Sequence, residues 1–207
     1  MFNSGRPKKI IMIDIERVKD FILTKQENEF PDGLYYHNID HVKDVYEAVI
    51  KHIGAKQIAD QDALLLKTAA LFHDSGFIVQ AKGHEEVSCD FARQYLPEFG
   101  YSDTQVERIC GMIMATKIPQ TPHNYLEEII ADADLDYLGR DDFFAISNTL
   151  FHELKESCVV KDEKQWDVIQ VDFFENHHYF TKEAKNWRQE KKEENLEIIK
   201  SKINQQY

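Results

Sequence analysis

Four side chains in this sequence combine the types that bind a divalent metal: His41, the adjacent pair His73 and Asp74, and Asp134. Two imidazoles and two carboxylates make the mixed nitrogen and oxygen shell that borderline and hard divalent ions accept. Near pH 7 imidazole is neutral and carboxylate ionised, which are the forms that ligate. The middle pair closes the apolar run Leu64-Leu65-Leu66-Lys67-Thr68-Ala69-Ala70-Leu71-Phe72. An ionisable pair at the end of so apolar a helix is costly to bury without a compensating partner. A metal ion would compensate. Taken alone, the His-Asp dipeptide reads equally well as a helix cap.

Three segments, in order, resemble the HD superfamily of metal-dependent phosphohydrolases. They are Tyr36-His37-Asn38-Ile39-Asp40-His41, Leu71-Phe72-His73-Asp74-Ser75-Gly76 and Ala131-Asp132-Ala133-Asp134-Leu135-Asp136. The resemblance covers about residues 33 to 140. It implies His41, His73, Asp74 and Asp134 as metal ligands and an HD-domain helical bundle as the fold. It further implies a hydrolase that cleaves a phosphoester of a small molecule, of nucleotide type, with a metal-activated water. A cyclic or linear nucleotide phosphodiesterase is the alternative, and a metal- or nucleotide-binding regulatory module without turnover is a second. Manganese, iron, cobalt, nickel, zinc and magnesium all suit such a shell, and the sequence does not choose among them.

Around this set lie further candidates. Asp74 directly follows His73, so the two side chains leave the helix end in different directions, and one can bridge to a second ion. On a continuous helix Asp132 and Asp136 share a face, with Asp134 roughly 200° from Asp132. Asp134 is therefore expected to point inward alone, with Asp132 and Asp136 as cap or surface charges or as groups behind the ligand. Cyclic-nucleotide phosphodiesterases are similar over Tyr36-His37-Asn38-x-x-His41. There the first histidine protonates the leaving oxygen, which assigns a general-acid role to His37. An imidazole of ordinary pKa suits that role. Asn38 reads as an N-cap. In two-metal HD proteins a histidine comparable to His84 ligates the second ion, and another often stands where this chain has Lys117. Lys117 is expected to stand in for that ion as a point charge on phosphate. His84 is then expected to contact phosphate or activate water, near Glu85. The bland reading of both is exposure at helix ends. His177 and His178, beside Phe173, Phe174 and Tyr179, read as a pocket wall or as packing at a helix junction. His52 and His152 suggest no role.

The composition bounds these readings. The chain has 207 residues, 43% hydrophobic and 30% charged, which fits one helical domain, a motif core at about 33–140 with an extension at about 141–207. The formal net charge of -12 argues against binding extended nucleic acid, which needs clustered cations. Lys182, Lys185, Arg188, Lys191 and Lys192 do cluster, but Glu183, Glu190, Glu193 and Glu194 interleave, so a solvated helix face is expected. No apolar run approaches the roughly 20 residues that span a bilayer, and Ile10 to Ile13 is too short for a signal peptide. Cys89, Cys110 and Cys158 are odd in number and lack metal-site spacing, as in reduced thiols of a cytoplasmic protein. Nothing in the sequence fixes an oligomeric state.

The elements that must position the candidates read as all-α. Ile15, Val18, Phe21 and Ile22 recur at helical spacing, as do Val42, Val45, Ala48, Val49 and Ile53 up to Gly54. Asp60 to Phe72 is apolar on most sides and is expected to be the central buried helix. Glu85 to Leu96 stops at Pro97. Ser102 and Gln105 form a capping-box signal for a helix through Met114. After Pro119 and Pro122, a helix is expected from about Asn124 to Gly139. Helices near Phe143 to Leu154, near Trp166 to Phe174 and from about Lys182 complete the chain. No strand alternation is present.

Overall fold

The computed structural model describes residues 13–206, so the reading of residues 1–12 as too short for a signal peptide lies outside the described residues. Nine α-helices and no strand occur among those described. They are α1 (Ile15–Glu29), α2 (Ile39–Ala55), α3 (Asp60–Phe72), α4 (His84–Tyr95), α5 (Asp103–Ala115), α6 (Tyr125–Asp134), α7 (Phe143–Glu156), α8 (Glu163–Asn176) and α9 (Lys182–Gln206). Short 3-10 turns at Ser75–Ile78, Leu96–Phe99 and Asp136–Gly139 follow α3, α4 and α6.

Helix starts are set by side-chain caps. Asn38 accepts from the backbone N–H groups of Asp40 and His41. Ser102 and Gln105 form a reciprocal capping box at α5. Asn124 caps α6, and Thr181 Oγ1 accepts from Ala184 N–H at α9. Each occupies donors that a helix start leaves unpaired.

α3 is the central element. Leu65, Leu66, Leu71 and Phe72 are fully buried, and burial of each stabilises by roughly 1.5–3 kcal/mol. That gain allows the chain to carry a His-Asp pair into the interior at its C-terminal end. α1, α2, α4, α5 and α6 pack around α3 in one hydrophobic cluster. A second cluster joins Tyr36, Leu135, Tyr137, Leu138 and Phe143 to Phe174 of α8 and Ile199 of α9. The described cysteines are free thiols, Cys89 and Cys110 buried and Cys158 exposed. No helix of the described residues is long and apolar enough to cross a membrane.

Two expectations need correction here. α6 ends at Asp134, not at Gly139, and both flanking aspartates are buried. Asp132 accepts from the N–H groups of Phe180 and Thr181, at 2.8 Å each. Asp136 takes a two-pronged bond from Arg188, 2.7 Å on each arm. They anchor the C-terminal segment. Its helix is likewise more than a solvated face. Ala184, Lys192, Asn195 and Ile199 are buried, Lys192 donates to the His177 carbonyl, and Asn195 donates to the carbonyls of Leu138 and Arg140. Gly139 lets this packing form, since a Cβ there would lie 2.3 Å from the Arg188 carbonyl oxygen.

Candidate functional site

The ends of three helices converge on one point. His41 lies in the first turn of α2, His73 caps α3, Asp74 follows it, and Asp134 closes α6. His41 Nε2 lies 3.2 Å from Asp134 Oδ1, 3.3 Å from His73 Nε2 and 3.4 Å from Asp74 Oδ2. His73 Nε2 lies 3.3 Å from Asp74 Oδ2 and 3.5 Å from Asp134 Oδ1. Separations of this size are those of neighbouring ligands around one ion with bonds of roughly 2.0–2.2 Å. Asp74 Oδ2 is buried with no hydrogen-bond partner, which is expensive for a charged oxygen. His73 Nδ1 is 2.8 Å from the Ala70 carbonyl. That contact fixes the proton on Nδ1 and leaves the Nε2 lone pair for a ligand bond. The residues present fit a divalent cation.

The electrostatics agree. Burial alone would lower the His73 imidazole, but the charges of Asp74 and Asp134 override it and push it up to about 9. Burial would raise Asp74. The charge of His73, with a bond from His84 to the other carboxylate oxygen, instead holds it well below the usual carboxylate range. These are the marks of anionic charge gathered where a cation belongs.

Asp74 also reaches the other way. Its Oδ1 lies 3.2 Å from His84 Nε2 at the start of α4, while His84 Nδ1 is held by the Ala81 carbonyl at 2.9 Å. His84 is thus brought to the site, and Asp74 spans from it to the four-donor point. Gly76 makes this possible. A Cβ on Gly76 would sit 2.0 Å from the His84 carbonyl oxygen, so only glycine admits the start of α4 at this distance.

His37 is brought to the site by a route that the sequence did not reveal. It precedes α2, so it does not share a helix face with His41, although the two rings lie 6.0 Å apart. Its Nδ1 pairs with Glu153 of α7. Glu153 also accepts from the N–H groups of Tyr36 at 2.8 Å and His37 at 3.1 Å. The ring stacks on Phe77 at 4.2 Å, Phe77 contacts His84 at 4.1 Å, and the two imidazoles lie 6.2 Å apart. One aromatic ring therefore fixes both imidazoles. Glu153 stands at the edge of the apolar stripe Phe143, Ser147, Leu150 and Phe151, where it reads as a surface charge.

Lys117 is not brought to the site. α5 ends at Ala115, and Lys117 turns outward onto Glu86, while its neighbours Thr116 and Ile118 line the site. The expected point charge on phosphate is thus engaged elsewhere. His177 and His178 line a separate, smaller cavity with Pro119 and Phe180. His52, expected to be featureless, is buried against Trp187 of α9 at 4.8 Å.

Beside the four-donor point opens a cavity of about 210 Å³. His37, Asp74, His84, Glu85 and Asp134 form its polar end. Its far end is apolar and belongs to α7 and α8, through Phe143, Leu150, Trp166, Phe173 and Phe174. No lysine or arginine lines it.

The architecture is an HD-domain helical bundle with a C-terminal helical extension, and two solved structures share it. A protein of an uncultured Thermotogales bacterium, described as a "predicted HD superfamily hydrolase", matches with a TM-score of 0.61 at 17% identity, over 91% of this chain and 91% of that chain. Bacillus subtilis YpgQ, solved in complex with ADP, matches with a TM-score of 0.63 at 21% identity, over 92% of this chain and 95% of that chain. No family model matches the chain, and no curated protein does. Identities this low carry the fold and leave the chemistry to the residues.

Proposed function

We propose that this protein is a metal-dependent hydrolase that cleaves a phosphomonoester of nucleotide type. The observation that carries the reading is the convergence of His41, His73, Asp74 and Asp134 around an orphaned carboxylate oxygen. These four would hold the ion. When bound, a divalent ion supplies Lewis acidity and a water of lowered pKa. The protein's own groups do the rest. His37 keeps its Nδ1–H on Glu153, so Nε2 is the atom that hands a proton to the departing oxygen. Phe77 holds that ring in plane. His84, raised above its ordinary pKa by the Asp74 carboxylate against the pull of burial, places positive charge beside the polar end of the cavity. The apolar far wall excludes bulk water, which strengthens every charge interaction at the polar end.

One finding favours a monoester with an organic group over a polyphosphate. The cavity wall is mostly apolar and carries no lysine or arginine, so a second or third phosphate has no fixed cationic partner there. One structural neighbour was solved with ADP, which supports nucleotide chemistry as the class to test.

The test is to strip the protein with chelator, reload it with manganese, iron, cobalt, nickel, zinc or magnesium, and measure phosphate release. The panel holds nucleoside mono-, di- and triphosphates, cyclic nucleotides and p-nitrophenyl phosphate. Asp74→Ala should lose the metal and all turnover. Wild-type metal content in that variant, or no phosphate release under any metal, would overturn the reading. Turnover confined to the cyclic substrates would establish a phosphodiesterase instead.

A further inference from the structure

The apolar end of the cavity contains one amide. Gln170 of α8 is buried, 7% exposed, and lines the same cavity as His37 and Asp74. Its Oε1 accepts from Ser147 Oγ of α7 at 2.5 Å. Ser147 is itself buried. With the oxygen so engaged, the amide orientation is fixed and both N–H bonds of Nε2 remain to be satisfied. No protein acceptor pairs with Nε2 among the described residues, and an amide donor in an apolar wall needs an acceptor. Gln170 lines the cavity, so an acceptor on an occupant can satisfy Nε2.

The size and walls of the space narrow the occupant further. An apolar cavity of roughly 150 Å³ takes a benzene ring, and the whole cavity, polar end included, measures about 210 Å³. The walls are aromatic. Phe143 stacks with Tyr137 at 6.0 Å and 16° and meets Phe174 edge-on at 5.1 Å, while Trp166 closes the α8 side. Flat rings pack best against such faces and edges.

We propose that Gln170, locked by Ser147, selects substrates whose leaving alcohol carries a single heteroaromatic group with a hydrogen-bond acceptor, as a nucleoside does. This rests on the phosphomonoester reading for the identity of the polar end only. A hydrocarbon ring of the same size leaves Nε2 desolvated and unpaired, so the residue discriminates by penalising the wrong occupant as well as by bonding the right one. Gln170 lies outside the 33–140 segment of the sequence resemblance, on the C-terminal extension.

The decisive experiment needs neither metal nor phosphate. In a Trp187→Phe background Trp166 is the remaining tryptophan, since the chain has two. Chelator-treated protein is titrated with adenosine, inosine and uridine, and with benzyl alcohol as the acceptor-free ring, while Trp166 fluorescence is followed. The nucleosides are expected to quench it. Gln170→Glu, which keeps the shape and removes the donor, should weaken at least one nucleoside by roughly 3- to 10-fold, the worth of one hydrogen bond, and leave benzyl alcohol unchanged. Gln170→Met should do the same without an added charge, which covers the case where Gln170→Glu does not fold. Ser147→Ala should give a smaller loss, because the amide is then free to turn. Nucleoside binding equal to wild type in both Gln170 variants, equal losses for nucleosides and benzyl alcohol, or no nucleoside binding at all would each overturn the proposal. A chain that binds nucleosides through Gln170 yet releases no phosphate when metal-loaded would sink the hydrolase reading and leave this one standing.

Discussion

Replacing Gly76 with alanine tests whether the placement of α4 is what holds His84 on Asp74. The added Cβ would lie 2.0 Å from the His84 carbonyl oxygen, 2.7 Å from its carbonyl carbon and 2.9 Å from its Cα. All three contacts are backbone, so no side chain can swing away to relieve them. The start of α4 must retreat by about 1 Å to restore a tolerable contact. Overpacking of this kind costs roughly 1–3 kcal/mol, and a chain of this size loses roughly 2–4 °C per kcal/mol. Thermal unfolding should therefore fall by about 2–12 °C. The same retreat opens the 3.2 Å contact between His84 Nε2 and Asp74 Oδ1. Misplacement by about 1 Å can cost on the order of 10²-fold in turnover. Melting followed by circular dichroism, metal content and phosphate release on one preparation separate the effects. Metal should stay near wild type, because none of His41, His73, Asp74 and Asp134 lies on α4. A variant that melts within a degree of wild type and turns over normally would refute the argument that this close approach positions His84.

Further outcomes follow from other contacts. Glu153→Gln should keep metal and lower turnover by roughly 10- to 100-fold, more for poor leaving groups than for p-nitrophenyl phosphate, because His37 loses the carboxylate that orients it as an acid; equal losses on both substrates would show a purely structural role. Lys117→Ala should leave turnover within about twofold of wild type, since its ammonium sits on exposed Glu86 and not in the cavity; a large kinetic loss would put Lys117 back on the phosphate. His52 is held neutral, with its pKa lowered to about 4 by burial, a pull reinforced by Lys51 and Arg188 and only partly opposed by Asp136 and Glu183. Its stabilising contribution is thus complete above the ordinary histidine pKa and is lost as pH falls from about 6.5 towards 4. His52→Phe should gain on wild type by about 3 kcal/mol between pH 7 and pH 4, measured by denaturant titration; a difference that does not change with pH would refute the assignment.

The parts of the site that could be read from sequence are those placed by local rules. His41 follows an Asn cap by three residues, His73 and Asp74 close an apolar helix, and Asp134 ends another, so punctuation alone puts each at a helix end. Partners joined by the fold were not legible. His37 and Glu153 stand 116 positions apart, and nothing local marks Glu153 as inward-facing. Lys117 was misplaced for the opposite reason: its neighbours Thr116 and Ile118 line the cavity, while its own side chain pairs with Glu86 outside it.

The extension shows where reading by apolar period fails. In α9 the inward positions Ala184, Arg188, Lys192, Asn195 and Ile199 recur at helical spacing, yet three of the five are polar, so the stripe is invisible to a hydrophobic pattern. It is held by hydrogen bonds to Asp136 and to the carbonyls of Leu138, Arg140 and His177. Asp132 and Asp136, which grip this segment, flank the proposed ligand Asp134 by two residues on either side. The same stretch of chain that brings a carboxylate to the four-donor point therefore also fixes the extension whose α7 and α8 wall the cavity. In this division the motif core supplies the four converging donors and His37. The extension supplies the shape that an occupant must match, together with the carboxylate that orients His37.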